Sequence, residues 1–198
     1  MTDPTTDTAL ANLARDIKRW ARELGFQQAG IADTDLSAAE ARLQAWLAKG
    51  YQADMTWMQA HGHKRTRPGE LEPGTLRVIS VRMDYLPPDT RPVQMLKQPE
   101  KAYVSRYALG RDYHKVIRKR LARLAEQIRH AAPASQLGRA FVDSAPVMEK
   151  PLAAKAGLGW QGIRGTCPTV GLSSEGHAHC KTQTVGRMAF CPLLVAAT

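Results

Sequence analysis

The chain has 198 residues, 43% of them hydrophobic and 23% charged, which is enough for one folded domain with its own core and without disulfide or metal staples. Lys and Arg outnumber Asp and Glu by 28 to 18, leaving a net charge of +10 and a pI near 9.9. A phosphate-rich partner fits that balance because cations release counterions from phosphates, although basic composition alone is weak support. No apolar run approaches the roughly 18 residues that a membrane span needs, and MTDPTTDTAL has neither the basic start nor the apolar centre of a secretion signal, so a soluble, cytoplasmic protein is expected.

Residues 1–7 read as a frayed end. From Thr8 to Leu24, the residues Leu10, Leu13, Ile17, Trp20 and Leu24 recur at helical spacing, and Gly25 suits the terminating position. Phe26–Ala32 reads as a short strand. A second helix is expected from Ser37, with Ser37 and Glu40 at capping-box spacing, Leu36 as a staple and Gly50 as the stop. Leu43, Trp46 and Leu47 would form its buried face. Asp54 would cap a short third helix through Met58, with Trp57 and Met58 in the core.

HGHKRTRPGELEPGTL is a loop by its Gly, Pro and charge content. His61 and His63 lack a third ligand nearby and read as solvent-exposed. Arg65 and Arg67 either sit in solvent or clamp a phosphate or carboxylate by their fork geometry. Arg77–Tyr85 is a strand, Leu86 to Pro99 a low-order connector, and Tyr103–Tyr107 another strand.

After Gly110 comes a basic helix. Asp112 stands at its N-cap, where the carboxylate can accept a first-turn amide. Tyr113, Ile117, Leu121, Leu124 and Ile128 form one apolar stripe, and Lys115, Arg118, Lys119, Arg120, Arg123 and Arg129 cover most of the rest. A strand, a glycine turn and a cationic helix suit an anionic ligand; the plainer reading is a solvated amphipathic helix over a sheet. Ala132–Gly138 reads as a turn region, Arg139–Val142 as a strand and Val147–Ala156 as a helix. Gly157 to Trp160 either lets the backbone approach a flat ligand or simply stops that helix. Alternating strands and helices give an α/β fold, a central sheet flanked by helices, whose strand order is not readable.

Asp143 is the candidate acid. A carboxylate just past a strand end stands where clefts form. If its surroundings are apolar, desolvation raises its pKa and lets it deliver a proton near neutral pH. The alternative is an Asp that caps the helix after Pro146. There is no acid pair at glycosidase spacing, no nucleophile elbow, no Walker loop and no GxGxxG, so hydrolase and nucleotide-triphosphatase readings lack an anchor. Cys167, Cys180 and Cys191 match no zinc or iron–sulfur spacing and read as reduced thiols.

Four ordered blocks, LGFQQAGIADTDL, WMQAHGHKRTRPGELEPGTLRVISVRMDYLP, YVSRYALGRDYHKVIRKRL and FVDSAPVMEKPLAAKAGLGWQG, closely resemble epoxyqueuosine reductase, the bacterial enzyme of the last step of queuosine formation in tRNA. The resemblance runs from about Leu10 to about Gly162. It implies a cobalamin-binding domain of the nitroreductase-like, reductive-dehalogenase type, here incomplete at the C-terminus. It also implies a cobalamin supplied with electrons by two 4Fe-4S clusters, and a tRNA partner carrying epoxyqueuosine in its anticodon. By motif matching, Asp143 corresponds to the family's proton donor, at the edge of a cobalamin pocket lined by Arg65 and Ser105. Tyr107, His114 and Trp160 would stand around that pocket. The cations from Lys115 to Arg123 are candidates for tRNA phosphates, and no residue is assigned as a metal ligand.

Residues 163–198 resemble nothing in the family's continuation and hold all the cysteines. The expected organisation is a cobalamin-binding catalytic domain at 1–162 and a divergent, disordered tail at 163–198 that arose by a reading-frame change near codon 163. The cysteine ligands of both clusters are absent, so electrons would come from an external donor to a monomer with no membrane contact. The other reading is a truncated, non-catalytic basic α/β remnant that at most binds cobalamin or tRNA weakly. A flavin-dependent nitroreductase-like protein is disfavoured, because the motif blocks match the cobalamin branch.

Overall fold

The computed structural model describes residues 4–84, 91–133, 135–162, 165–168 and 188–197. In chain order these form α1 (Pro4–Glu23), β1 (Gln28–Ala32), α2 (Ser37–Ala48), α3 (Pro68–Leu71), β2 (Thr75–Asp84), α4 (Pro92–Leu96), α5 (Tyr113–Ala131), β3 (Ser135–Ala140), α6 (Glu149–Lys155), β4 (Gly159–Gly162), β5 (Gly165–Pro168) and β6 (Met188–Ala197). Short 3₁₀ turns occupy Thr56–Met58, Gly62–Arg65 and Arg106–Ala108.

β2 organises the sheet because its side chains alternate between two buried faces. Ile79 and Val81 point to one layer, Val78 to the other. β1 pairs antiparallel with β2 from Gln28↔Arg82 to Ala32↔Val78, β6 pairs with the opposite edge of β2, and β3 pairs with β6. The order is β1-β2-β6-β3, and β4 with β5 makes a separate two-stranded ladder.

On the first face, Ile17 and Ala21 of α1 meet Ile117, Leu121, Leu124, Ala125 and Ile128 of α5 over Ile79, Val81 and Val142. The expected α5 stripe is therefore the main wall of the core; each such side chain contributes roughly 1.5–3 kcal/mol when fully buried. The Asp112 cap is also present, its Oδ1 accepting the His114 amide at 3.0 Å. On the second face, Ala39 of α2 and Leu152 of α6 pack with Leu36, Val78, Phe141 and Val147. A Cβ at Gly30 would lie 2.2 Å from the Ala156 carbonyl oxygen, so the end of α6 rests directly on β1 only because residue 30 has no side chain.

Several local expectations change. α1 begins at Pro4, a residue pre-set for a first helical turn. The capping box does not form: the Ser37 amide donates to Asp35 Oδ1 at 3.0 Å, and Glu40 turns away to Thr66 and Arg67. Trp57 is exposed rather than core, and Leu43, Trp46 and Leu47 are half-buried. The loop after His61 contains α3 and a 3₁₀ turn. Tyr103–Tyr107 is not a strand: Tyr103, Val104 and Tyr107 face solvent, so no apolar face holds the segment to the sheet. β3 starts at Ser135 and ends at Ala140, earlier than expected.

Of the tail expected to be disordered, Gly165–Pro168 and Met188–Ala197 are strands. The run MAFCPLLVAA is apolar throughout, which suits a strand in a sheet with a buried core on each face. Cys180, and the part of the connector at 85–90 together with the expected strand end at Tyr85, lie outside the described residues. Among the described residues, no helix is long and apolar enough to cross a membrane.

Candidate functional site

Beyond β3 the chain is pinned on both sides of the sheet. Phe141 is buried in the second core and Val142 in the first. The next residue, Asp143, emerges with a φ of 49°, a left-handed conformation that Asp tolerates better than most residues. Its Oδ2 accepts the hydroxyl of Tyr113, the first residue of α5, at 2.5 Å. The Tyr113 ring meets Tyr107 edge-on with centroids 6.0 Å apart, and stacks on His114 at 4.0 Å. His114 is held in turn by Asp112, Nδ1 to Oδ1 at 3.0 Å. Tyr113 thus brings Asp143, Tyr107 and His114 together, a role not visible in a residue read only as part of an apolar stripe. A groove of about 360 Å³ beside them is lined by Tyr107, Leu109, Tyr113, Val116, Arg120 and Met83 among others.

The desolvated carboxylate expected at Asp143 is not there. Asp143 is exposed, and the Tyr113 hydroxyl orients it in place of an apolar wall. The buried acid is Glu149, the first residue of α6. Glu149 is half-buried, six residues beyond Asp143. Burial first, and the Asp143 charge second, push its pKa up to about 8, while the Asp143 amide and Lys150 favour the ionised form. The sequence offered a signal that was passed over: a second acid in the same SAPVME turn, at a helix start.

Arg65 reaches this turn through its backbone, its carbonyl accepting the Met148 amide at 3.2 Å. Its guanidinium lies 5.6 Å from the centre of the Trp57 ring, and Nη2 points to the Trp57 carbonyl at 3.5 Å. Its Nε is buried with no hydrogen-bond partner among the described residues, and burial lowers its pKa. Arg67, by contrast, is fully engaged: Nε and Nη2 donate to the two oxygens of Glu40 at 3.1 and 2.9 Å, the bidentate arrangement that favours arginine. Thr66 Oγ1 also donates to Glu40, at 2.7 Å, and His63 Nδ1 lies 3.1 Å from it. Arg67 first, then Thr66, pull the Glu40 carboxyl down to about 2. The two loop arginines therefore divide: Arg67 fastens the loop to α2, and Arg65 keeps a spare buried donor.

Ser105 is exposed and its carbonyl accepts the Ala108 amide at 3.0 Å, which starts the turn carrying Tyr107. Trp160 lies in β4, paired with Cys167 of β5; its side chain is outside the described residues. On α5, Lys115, Arg118, Lys119 and Arg123 face solvent, but Arg120 does not: its Nη1 donates to the Gly25 carbonyl at 3.0 Å and closes the end of α1.

A cobalamin fits the residues present on two observations. Arg65 offers a buried Nε without a partner, and Tyr103, Val104, Tyr107 and Leu109 present an exposed apolar shelf next to Tyr113. Two 4Fe-4S clusters do not fit: each takes four thiolates, the chain has three cysteines, and the described residues hold no group of three or more His, Cys, Asp or Glu that could bind a metal.

A family model described as epoxyqueuosine reductase QueG, DUF1730, matches residues 65–144. The epoxyqueuosine reductase of Pseudomonas aeruginosa is 66% identical over 153 residues, which is 77% of this chain and 42% of that protein. The chain thus spans about two fifths of the length of the curated relatives it matches. In structure, it superposes with a TM-score of 0.69 on an epoxyqueuosine reductase solved with a tRNA-Tyr epoxyqueuosine-modified stem loop, at 16% identity over 93% of this chain and 45% of that one. It superposes with a TM-score of 0.64 on the Bacillus subtilis enzyme, solved with a catalytic aspartate loop swung out of the active site, at 17% identity over 94% of this chain and 46% of that one. Both neighbours establish an α/β fold of this kind.

Proposed function

The chain is related to the epoxyqueuosine reductases through the N-terminal part of that family, and from that premise we propose that it is the cobalamin-binding part of an enzyme reducing epoxyqueuosine to queuosine at the wobble position of tRNA. The observation that carries the reading is the exposed Asp143 carboxylate, fixed in a left-handed turn by Tyr113 and adjoining the acid Glu149. A side chain so presented can reach a bound substrate without reorganising.

Opening the epoxide to an alkene consumes two electrons and two protons and releases the oxygen as water. Cobalamin, when bound, supplies reducing equivalents. Asp143 would pass a proton to the departing oxygen, so that no alkoxide forms unprotonated. Tyr113 fixes the Asp143 rotamer through its hydroxyl. Arg65 and Ser105, with Tyr107, His114 and Trp160, would line the cofactor's pocket, the apolar shelf excluding water from one side. This catalytic unit would be of nitroreductase-like type; residues 1–162 carry the resemblance to the family, and β6 from the following segment would complete its sheet. Lys115, Arg118, Lys119 and Arg123 on the solvent face of α5 would meet the tRNA backbone. With too few cysteines for the clusters, this chain would need an external electron donor and would not turn over alone.

The test is a cobalamin absorbance titration of the purified chain, followed by turnover of epoxyqueuosine-containing tRNA with a chemical reductant. Asp143→Asn should bind cobalamin normally and reduce the epoxide about a hundredfold more slowly, the lower range of a lost general acid. Arg65→Ala should weaken cobalamin binding instead. Absence of any spectral change at saturating cobalamin sinks the cofactor reading, and near-normal turnover by Asp143→Asn removes that residue as donor.

A further inference from the structure

Two rows of exposed cations run along the layer formed by α1 and α5. On α1, Arg15, Lys18 and Arg22 are exposed, while Ile17 and Ala21 of the same helix are buried. On α5, Arg118, Lys119 and Arg123 are exposed, while Ile117, Leu121 and Leu124 are buried. The two helices pack together over one face of the sheet. Arg120 fastens them: its Nη1 donates to the Gly25 carbonyl at 3.0 Å, which ties the end of α1, just past Arg22, to the middle of α5. Arg19 belongs to neither row, because Asp16 and Glu23 hold it at 2.9 and 3.7 Å. The row residues have only local partners. Arg15 meets Asn12, and Arg22 donates to the Lys18 carbonyl at 3.1 Å, both within α1. The Lys18, Arg118, Lys119 and Arg123 side chains make no hydrogen bond or ion pair among the described residues.

Residues three and four apart on a helix stand about 5–6 Å from each other, so Arg15, Lys18 and Arg22 form a short ladder of charge. Packed helices lie about 8–10 Å apart, so α5 carries its cations at a separation that the core fixes. Neither helix has an apolar stripe to spare, since both are used in that core. Such a surface lacks the buried hydrocarbon by which amphipathic helices hold to lipid, whereas cations in excess of their acid neighbours suit phosphates. A fixed separation between two rows suits two fixed backbones, as in a helical stem, better than one flexible strand. The layer also adjoins the candidate acid: α5 starts at Tyr113, whose hydroxyl is 2.5 Å from Asp143 Oδ2.

We propose that α1 and α5 together form a docking platform for the phosphate backbones of a helical RNA stem, with Arg15, Lys18 and Arg22 gripping from α1 and Arg118, Lys119 and Arg123 from α5. The contacts are to backbone, so they read neither base sequence nor modification. A stem lying on the platform has one end beside Asp143. The identity of the RNA as the tRNA substrate rests on the proposed function; the platform itself needs no cofactor.

The test is a fluorescence titration of the full chain with a labelled, unmodified RNA stem-loop at several salt concentrations, without cobalamin. Six phosphate contacts predict that log K falls against log salt with a slope of about −4 to −5. Arg15→Ala/Lys18→Ala/Arg22→Ala should make the slope shallower by about 2–3 and weaken binding on the order of a hundredfold at about 0.1 M salt. Alanine is the best helix former and the three side chains are exposed, so α1 should persist. Arg118→Ala/Lys119→Ala tests the other row and should make the slope shallower by about 1.5. Arg42→Ala/Lys49→Ala/Arg77→Ala removes as much exposed charge elsewhere and should leave the slope in place. An unmoved slope in either helix variant overturns the proposal, as does an equal change in the control, which would mean a net-charge effect only. So does a single strand of the same length bound as tightly as the stem-loop, or a phosphatidylserine vesicle bound through the same α1 residues. Cobalamin titration of the wild type keeps the two readings apart. Stem-loop binding through both rows with no cobalamin spectrum leaves the platform standing and refutes the cofactor reading; a cobalamin spectrum with an unmoved slope in the α1 variant refutes the platform alone.

Discussion

At the scale of single residues, two glutamates titrate in opposite directions, and each sign follows from its neighbours. Glu149 has a folded pKa near 8 against an ordinary 4.5, because burial and the Asp143 charge disfavour its ionised form. Between those values the folded chain keeps a proton that the unfolded chain gives up. Its contribution to stability is therefore complete below pH 4.5 and lost as pH rises through 8. Glu40 is the reverse: Arg67 and Thr66 hold it near 2, so its contribution is present above 4.5 and lost as pH falls toward 2. Urea midpoints measured across pH should show both slopes. Glu149→Gln should flatten the neutral-to-alkaline slope and leave the acid one in place; an unchanged alkaline slope would mean that Glu149 is not the group responsible. Asp143 adds a backbone argument. Its φ of 49° suits Asp or Asn, so Asp143→Asn should fold as well as wild type, whereas Asp143→Val should lose about 1–2 kcal/mol in denaturant unfolding from left-handed strain.

At the scale of elements, the seating of α6 on β1 decides where the 141–149 turn can go. Gly30 makes the approach possible, since any Cβ there would collide with the Ala156 carbonyl oxygen and with the Ala156 Cβ at 2.9 Å. Backbone at the end of a packed helix cannot give way cheaply. Gly30→Ala should therefore cost on the order of 2–3 kcal/mol, as overpacked cores do, and should displace Glu149 with its helix; an unaltered Tm would show that α6 does not bear on β1. These elements also separate what the sequence discloses from what it hides. The α5 stripe, the Asp112 cap and the strand around Val78 to Val81 were legible because periodicity and caps are local properties. The capping box at Ser37 failed because its two members found better partners: Asp35 beside it, and Thr66 and Arg67 far along the chain. Arg65 and Arg67 look alike in sequence and differ only through Glu40 and Trp57, which tertiary packing delivers. The burial of Glu149 was hidden for the same reason, since it depends on the junction between α6 and the Arg65 backbone.

At the scale of the whole molecule, β6 links the two halves of the sheet, and the site hangs from one of them. In the order β1-β2-β6-β3, β2 has a partner on each edge, while among the described strands β3 pairs with β6 alone. β3 then leads directly into Phe141, Val142 and Asp143. The position of the candidate acid is thus tied to a strand remote from it in sequence. That strand is not an ideal one: Pro192, in register opposite Ser80, brings no amide hydrogen to the ladder. Removing residues 188–198 should therefore act unequally. β1 and β2 should keep their hydrogen-exchange protection between Ile79 and Val81, since β1 and the α1–α5 layer remain on them. Protection at Ser135–Ala140 should be lost, and the unpaired edge of β2 should promote association visible by light scattering. Cobalamin affinity should fall with it, because Asp143 and the start of α6 lose the strand that anchors their turn. If Ser135–Ala140 stayed protected and the shortened chain stayed monomeric, β6 would not be what holds β3, and the placement of Asp143 would have to come from α5 through Tyr113.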